Sequence, residues 1–218
     1  MGKLVVGVHT AASVVKIVAD LFREMLPDVE LVNFLDDSIV QAAVAAGGVN
    51  EVLASRMYHH YVAAELTGAD VILVTCSTVG ETADIARQLI PTPIVKIDDA
   101  MCEQAVRAGG TIGVLATVES TLGPTSRLIQ RKAEEAGRVV EVKTRLAQGA
   151  FQALARGEAE LHDRLVLDVI DEYAKEVDVV VFAQASMVRL LPLVGHVAVP
   201  VLSSPRLGVE SVKQRLGL

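Results

Sequence analysis

Cys76 stands in the run Val74-Thr75-Cys76-Ser77-Thr78-Val79-Gly80, directly after a short apolar stretch from Asp70 to Thr75. In open α/β sheets ligands bind beyond the carboxyl ends of the strands, so a thiol at such an end is placed to meet one. As a thiolate it can deprotonate a carbon acid, and as a thiol protonate a carbanion; it can also attack an alkene or carbonyl. The second half of the chain builds the same device at Asp178 to Met187, but Gln184 stands where a partner thiol is expected. Glutamine does not exchange a proton at useful pH, which leaves it the hydrogen bonding of a substrate carbonyl or developing oxyanion.

The echo between the halves can be counted. Cys76 follows His9 by 67 positions, and Gln184 follows Thr117 by 67. Asp70 and Asp178 open the two later strands at an offset of 108, while Pro93-Ile94-Val95 and Pro200-Val201-Leu202 close each half at 107. Gly7 and Gly113 differ by 106, which requires a small insertion near the first turn. A duplicated α/β lobe is the simplest reading.

His9 ends the first strand, and its ordinary pKa of ~6.5 suits proton transfer, making it the candidate second acid/base beside Cys76. The turns supply hydroxyls from Thr10, Ser77, Thr78, Thr117, Ser120, Thr121 and Ser186, with Ala185 inside the second-lobe turn. Hydroxyls and free N–H groups at helix starts suit a small carboxylate. Blander roles stand beside these: Cys76 as a small buried hydrophobe, His9 as a helix cap. Cys102, among Met101, Ala105 and Val106, reads as structural. His59 and His60 are adjacent and point to different helix faces, while His162 and His196 read as ordinary exposed residues. Tyr58 and Tyr61 share a helix, and Arg206 begins one with a reach toward a substrate carboxylate.

The elements that must position these groups follow from periodicity. Short β-branched runs alternate with segments of helical period, the pattern of parallel sheets covered on both faces. Strands are expected near 3–9, 29–34, 70–75, 93–97, 111–116, 138–143, 178–183 and 198–202. Helices are expected over 13–25, 49–66, 81–89, 99–108, 120–136, 158–176 and 206–216, with a turn or two after 186. The fold class is therefore α/β: two similar parallel-sheet lobes related by a pseudo-two-fold, 1–98 plus 206–218 and 99–205, with the active site expected in the cleft between them.

Composition bounds the function. The 218 residues are 51% hydrophobic, enough for sizeable cores. A net charge of −7, with four Phe, three Tyr, no Trp and no basic block, argues against a nucleic-acid partner. No apolar run has membrane-span length and the start lacks a signal-peptide pattern, so a cytoplasmic protein off the membrane is expected. Two cysteines then read as free thiols. No zinc or nucleotide motif is present, so no metal and no cofactor is expected. The apolar composition is compatible with a homodimer or higher homo-oligomer.

With the Cys76 turn, the segment Ile97-Asp98-Asp99-Ala100-Met101, the run Ile112 to Thr117 and the turn Val181 to Met187 in this order and spacing, nearly the whole chain resembles the aspartate/glutamate racemase superfamily. That group includes glutamate, aspartate and hydantoin racemases, maleate isomerase and arylmalonate decarboxylase. The resemblance implies two cysteines flanking the substrate carbon, without pyridoxal phosphate or metal; here the first is Cys76 and the second position holds Gln184. It places His9 where glutamate racemases carry a catalytic-site aspartate. The decarboxylase branch also keeps a single cysteine, in the other lobe.

Three functions follow as expectations: a cofactor-independent isomerase acting on a small carboxylate substrate through Cys76, a decarboxylase or carbon–carbon lyase on the same scaffold, and a non-catalytic carboxylate-binding protein.

Overall fold

A computed structural model describes residues 2–218. The chain divides into two compact units, Met1–Ala100 with Pro205–Leu218, and Met101–Ser204. The chain passes between them twice, inside the helix Asp99–Ala108 and inside the helix Ser204–Arg215.

The first unit carries β1 (Lys3–His9), α1 (Ala12–Met25), β2 (Val29–Leu35), α2 (Ser38–Ala45), α3 (Glu51–Leu66), β3 (Val71–Val74), a 3-10 turn (Ser77–Val79), α4 (Gly80–Ala86) and β4 (Ile94–Lys96). Next come α5 (Asp99–Ala108), β5 (Thr111–Ala116), a 3-10 turn (Glu119–Thr121), α6 (Leu122–Glu135), β6 (Glu141–Leu146), α7 (Ala150–Ala155), α8 (Ala159–Tyr173) and β7 (Val179–Phe182). A long 3-10 segment (Ala185–Leu193), β8 (Val201–Ser203) and α9 (Ser204–Arg215) complete the chain.

Each unit holds a four-stranded parallel sheet, in the orders β2-β1-β3-β4 and β6-β5-β7-β8. This is the α/β architecture that the alternating pattern implies. The inner strands β3 (VILV) and β7 (VVVF) are buried at every residue, whereas the edge strands β2 and β6 are largely part-exposed. Burying each such valine or leucine contributes roughly 1.5–3 kcal/mol.

Asp70 and Asp178 earn their repeat through the backbone. The Asp178 carboxylate accepts the N–H groups of Gly110 at 2.9 Å and Thr111 at 2.8 Å, and Asp70 accepts that of Leu4 at 2.9 Å. Each carboxylate pins the start of the neighbouring central strand, so the two strand pairs enter their sheets in a fixed register.

Several expectations need correction. Helices α2 and α7 are additional; both are short, and α2, rich in Ala and Val, shows little contrast between its faces. Strand β6 begins at Glu141, not near 138, because Arg138 still closes the turn after α6 through its N–H to Ala133 O. Strand β8 starts at Val201 and ends at Ser203, since α9 begins at once at Ser204. The segment after Ser186 runs as 3-10 to Leu193 and carries Pro192. His162 is buried, 2% exposed, with Nδ1 2.8 Å from Asp163 Oδ1. Its place on the inward stripe of α8 with Val166, Ile170 and Tyr173 explains why.

Candidate active site

In the first unit, β1 and β3 end side by side. Their register pairs Val8 with Val74, and the Thr75 N–H continues to Val8 O at 3.2 Å. One step further, Thr10 lies opposite Cys76. In the second unit Leu115 pairs with Phe182 and the Ala183 N–H reaches Leu115 O at 3.0 Å, so Thr117 lies opposite Gln184. The residue matching Thr117 is therefore Thr10, not His9. Gly7 and Gly113 are not equivalents, since Val6 matches Gly113 and Gly7 matches Val114, and the second unit's extra residue falls between its first and third strands.

Cys76 is part-exposed and caps the 3-10 turn from the extended region, φ −121° and ψ 115°. Burial of its surroundings pushes the thiol pKa up. The Thr10 hydroxyl, the N–H groups of Val79 and Thr78, and the Thr78 hydroxyl oppose that shift by favouring the thiolate, without closing a formal capping bond. Thr10 and Thr78 are buried, whereas Ser77 is part-exposed. The turn is held from behind: Thr82 Oγ1 donates to Val79 O at 2.6 Å and takes the Tyr61 hydroxyl at 2.9 Å. Tyr61 is thus a buried brace, with its hydroxyl pKa raised by burial.

His9 does not join the thiol. Its ring folds over Gly7, where a Cβ would collide with it, and both nitrogens are occupied, Nδ1 by Thr75 Oγ1 and Nε2 by Asn33 Oδ1, each at 2.9 Å. Burial lowers its pKa, and the Asn33 bond only partly offsets that. A neutral ring with Nε2–H donated to Asn33 and Nδ1 receiving Thr75 satisfies both contacts. Alternation along β3 turns Thr75 and Cys76 to opposite faces.

In the second unit, Gln184 Oε1 accepts three donors: Thr117 N–H at 2.6 Å, Thr117 Oγ1 at 3.1 Å and Val118 N–H at 3.2 Å. The carbonyl end of the amide is fixed to the end of β5, which leaves the amide NH2 as the end it can offer. The Thr121 hydroxyl is committed to Val118 O at 2.7 Å. Ser120 Oγ is buried with no hydrogen-bond partner. Ala185 is buried and Ser186 part-exposed in the following turn.

Other singled-out residues lie elsewhere. Arg206 is paired with Glu24 at 2.8 Å on the surface, and Cys102 is fully buried. An open hollow lined by Asp36, Glu51, Val52, Ser55, Arg56, His59 and His60 sits on α3 near the carboxyl end of β2. Asp36 there stays well below the usual carboxylate range: burial opposes this, but bonds from Ser38, His60 and Arg56 outweigh it. Among the described residues, no three His, Cys, Asp or Glu side chains gather as a metal-holding group, and no helix is long and apolar enough to cross a membrane.

Sequence reasoning missed Asp98 as a site residue. It is 3% exposed just past β4, and the β3–β4 register, Val74 with Lys96, carries it alongside Cys76. The signal was present as three charged residues, Lys96, Asp98 and Asp99, at the end of an apolar strand. A family model described as Asp/Glu/hydantoin racemase matches residues 4–212.

The chain belongs to the Asp/Glu/hydantoin racemase family. That membership supports a racemase-type isomerase. Solved structures agree on the fold. The chain is similar to an aspartate racemase from Picrophilus torridus, with 16% identity, a TM-score of 0.75, and coverage of 99% of this chain and 95% of that one. It is similar to an aspartate racemase homologue from Pyrococcus horikoshii, with 20% identity, a TM-score of 0.71 and full coverage of both, 100% and 100%. An allantoin racemase from Klebsiella pneumoniae gives 14% identity and a TM-score of 0.65 over 99% of this chain and 88% of that one. No curated protein matches the chain in sequence. Within this racemase family, the present member carries a thiol on the first unit's turn and an amide on the second's.

Proposed function

We propose that the chain is a cofactor-independent isomerase that acts on a small carboxylate through a single acid/base, Cys76. One observation carries this reading: the thiol sits part-exposed at a strand's carboxyl end, where burial raises its pKa and the Thr10 hydroxyl and two turn N–H groups pull it back toward the thiolate. A thiolate so held removes the proton from the carbon next to the carboxylate, and the thiol so formed returns one after the planar carbanion has turned its other face, which inverts the centre. Ser77 and Thr78 on the same turn, and Thr10 just past β1, supply polar groups for the substrate. In the second unit, Thr117, Ser120, Thr121, Gln184, Ala185 and Ser186 are the proposed substrate-binding set, with the Ser120 hydroxyl and the Gln184 NH2 as its available donors.

Solvent deuterium entering the α-carbon of aspartate or glutamate, and its loss in Cys76→Ala, tests the reading. No incorporation into any carboxylate offered would overturn it.

A second reading, decarboxylation or carbon–carbon cleavage, is favoured by one specific feature. Gln184 cannot move a proton, so proton delivery by Cys76 alone suits a carbanion formed by loss of a fragment. Product mass separates the two. A carboxylate-binding protein without catalysis would instead keep ligand-induced thermal stabilisation in Cys76→Ser, with no turnover from either form.

A further inference from the structure

Behind the Cys76 turn lies a closed ring of ion pairs. Lys96 Nζ is 2.9 Å from Asp84 Oδ2 and 3.4 Å from Asp99 Oδ1, and Arg87 reaches Asp84 at 3.1 Å and Asp99 at 2.7 Å. Two cations and two carboxylates alternate around it, so the ring is neutral. The Lys96 side chain is only 2% exposed, and its stem passes under Gly80, where an added Cβ would lie 3.8 Å from its Cδ.

Asp98 is the third carboxyl of this neighbourhood and shares Lys96 with Asp84 and Asp99. It is 3% exposed, and two constraints fix its place. The Ile97 N–H donates to Val74 O at 2.9 Å, extending the β3–β4 ladder toward the turn. Helix α9 lays Gly208 against Ile97, with room for no side chain there. Lys96 pairs with Val74, so Asp98, in the turn two residues beyond Lys96, comes to the level of Cys76, two residues beyond Val74. Ser77, the residue after the thiol, faces the Asp98 carboxyl with its hydroxyl.

We infer that Asp98 and Cys76 are a coupled acid pair holding a single negative charge between them, so that Asp98 acts as a positioning residue that sets when the thiol ionises. Two like charges side by side in a buried place, next to a ring with no net charge to offset them, repel strongly. Thiolate forms readily only when Asp98 takes the proton, and the Ser77 hydroxyl favours the opposite distribution. Burial first, and then the nearby Asp99, hold the Asp98 pKa up, while Lys96 and Ser77 pull it down, which is the behaviour of a group able to keep that proton. The groups facing the pair are Tyr61 from α3, Asp84 from α4 and Arg87 just after it, Lys96 from β4 and Asp99 from α5, and α9 lays Gly208 against Ile97.

This inference rests on Cys76 being the working acid/base, but its test needs no substrate. Iodoacetamide labelling of Cys76 is followed by mass spectrometry across pH in the intact protein, with buried Cys102 reporting any unfolding. Asp98→Asn removes the competing charge. It is expected to move the labelling midpoint to lower pH, with about tenfold faster labelling below the midpoint for each unit moved. Asp98→Glu keeps the original midpoint. If Asp98→Asn exposes Cys102, Ser77→Ala is read instead and shifts the midpoint the same way, by less. An unchanged midpoint in a folded Asp98→Asn, or in Ser77→Ala where that stands in, overturns the pair. A deuterium-exchange failure with the midpoint shift intact would sink the isomerase reading and leave the pair standing.

Discussion

Gln184 Oε1 accepts the Thr117 N–H at 2.6 Å, tying the end of β7 to the end of β5 within the second unit. The equivalent pair in the first unit is Cys76 and Thr10, where the threonine hydroxyl approaches a sulfur instead of an amide oxygen. The duplicated fold thus keeps a threonine at the end of each central strand and changes what faces it. On one side the facing group titrates, and on the other it is a fixed brace.

Removing that brace should cost stability. Gln184→Ala leaves the Thr117 and Val118 N–H groups without their acceptor, an expected loss of about 1–3 kcal/mol in denaturant unfolding. Gln184→Glu keeps an acceptor in place and should recover most of it. A fall in Gln184→Ala no larger than that of Gln184→Glu would mean the amide braces nothing.

Cys76→Ser keeps the shape of a part-exposed side chain and replaces a thiol with a hydroxyl that does not ionise near neutrality. Stability should hardly change, while α-deuterium exchange falls by about 10²- to 10⁴-fold, the usual worth of a placed acid or base. The wild-type rate should rise with pH through the raised thiol pKa, because the base form is the thiolate. A rate that is flat from neutral to alkaline pH would contradict a thiolate base.

Much of this was legible in the sequence. The β-branched runs and their repeat gave the strands and both sheets because parallel strands buried on two faces leave little room for polar residues. Cys76 and Gln184 declared themselves by their place after those runs. The role of His9 was not legible, since counting residues cannot see the one-residue difference in register that turns its ring toward Asn33 and Thr75 and leaves Thr10 beside the thiol. Asp98 was hidden for another reason. That it has only a share of Lys96 shows only once Lys96 and Arg87 are seen paired with Asp84 and Asp99.

The buried His9 ring makes its own mark on acid stability. Its folded pKa lies below the unfolded ~6.5, mainly through burial, so the unfolded chain binds the proton first. The stability it contributes is present above pH ~6.5 and is lost as pH falls through the folded value, by up to about 1.4 kcal/mol per pH unit. His9→Gln should flatten the unfolding free energy against pH in that window. An unaltered slope would place the acid sensitivity elsewhere.

Helix α9 contacts the Asp98 turn through Gly208, and a methyl group there tests how tightly. An added Cβ would lie 2.6 Å from Ile97 Cγ1 and 2.8 Å from both its Cα and its carbonyl oxygen, and the last two are backbone that cannot swing aside. A helical Gly→Ala change ordinarily gains up to about 1 kcal/mol from backbone propensity. Here the overlap should reverse the sign, for a net loss of about 1–3 kcal/mol. Gly80→Ala is the matched control in α4, because its Cβ meets only Lys96 Cδ, at 3.8 Å. It should be neutral or mildly stabilising. Equal unfolding midpoints for the two variants would show that α9 does not clamp the turn that carries Asp98.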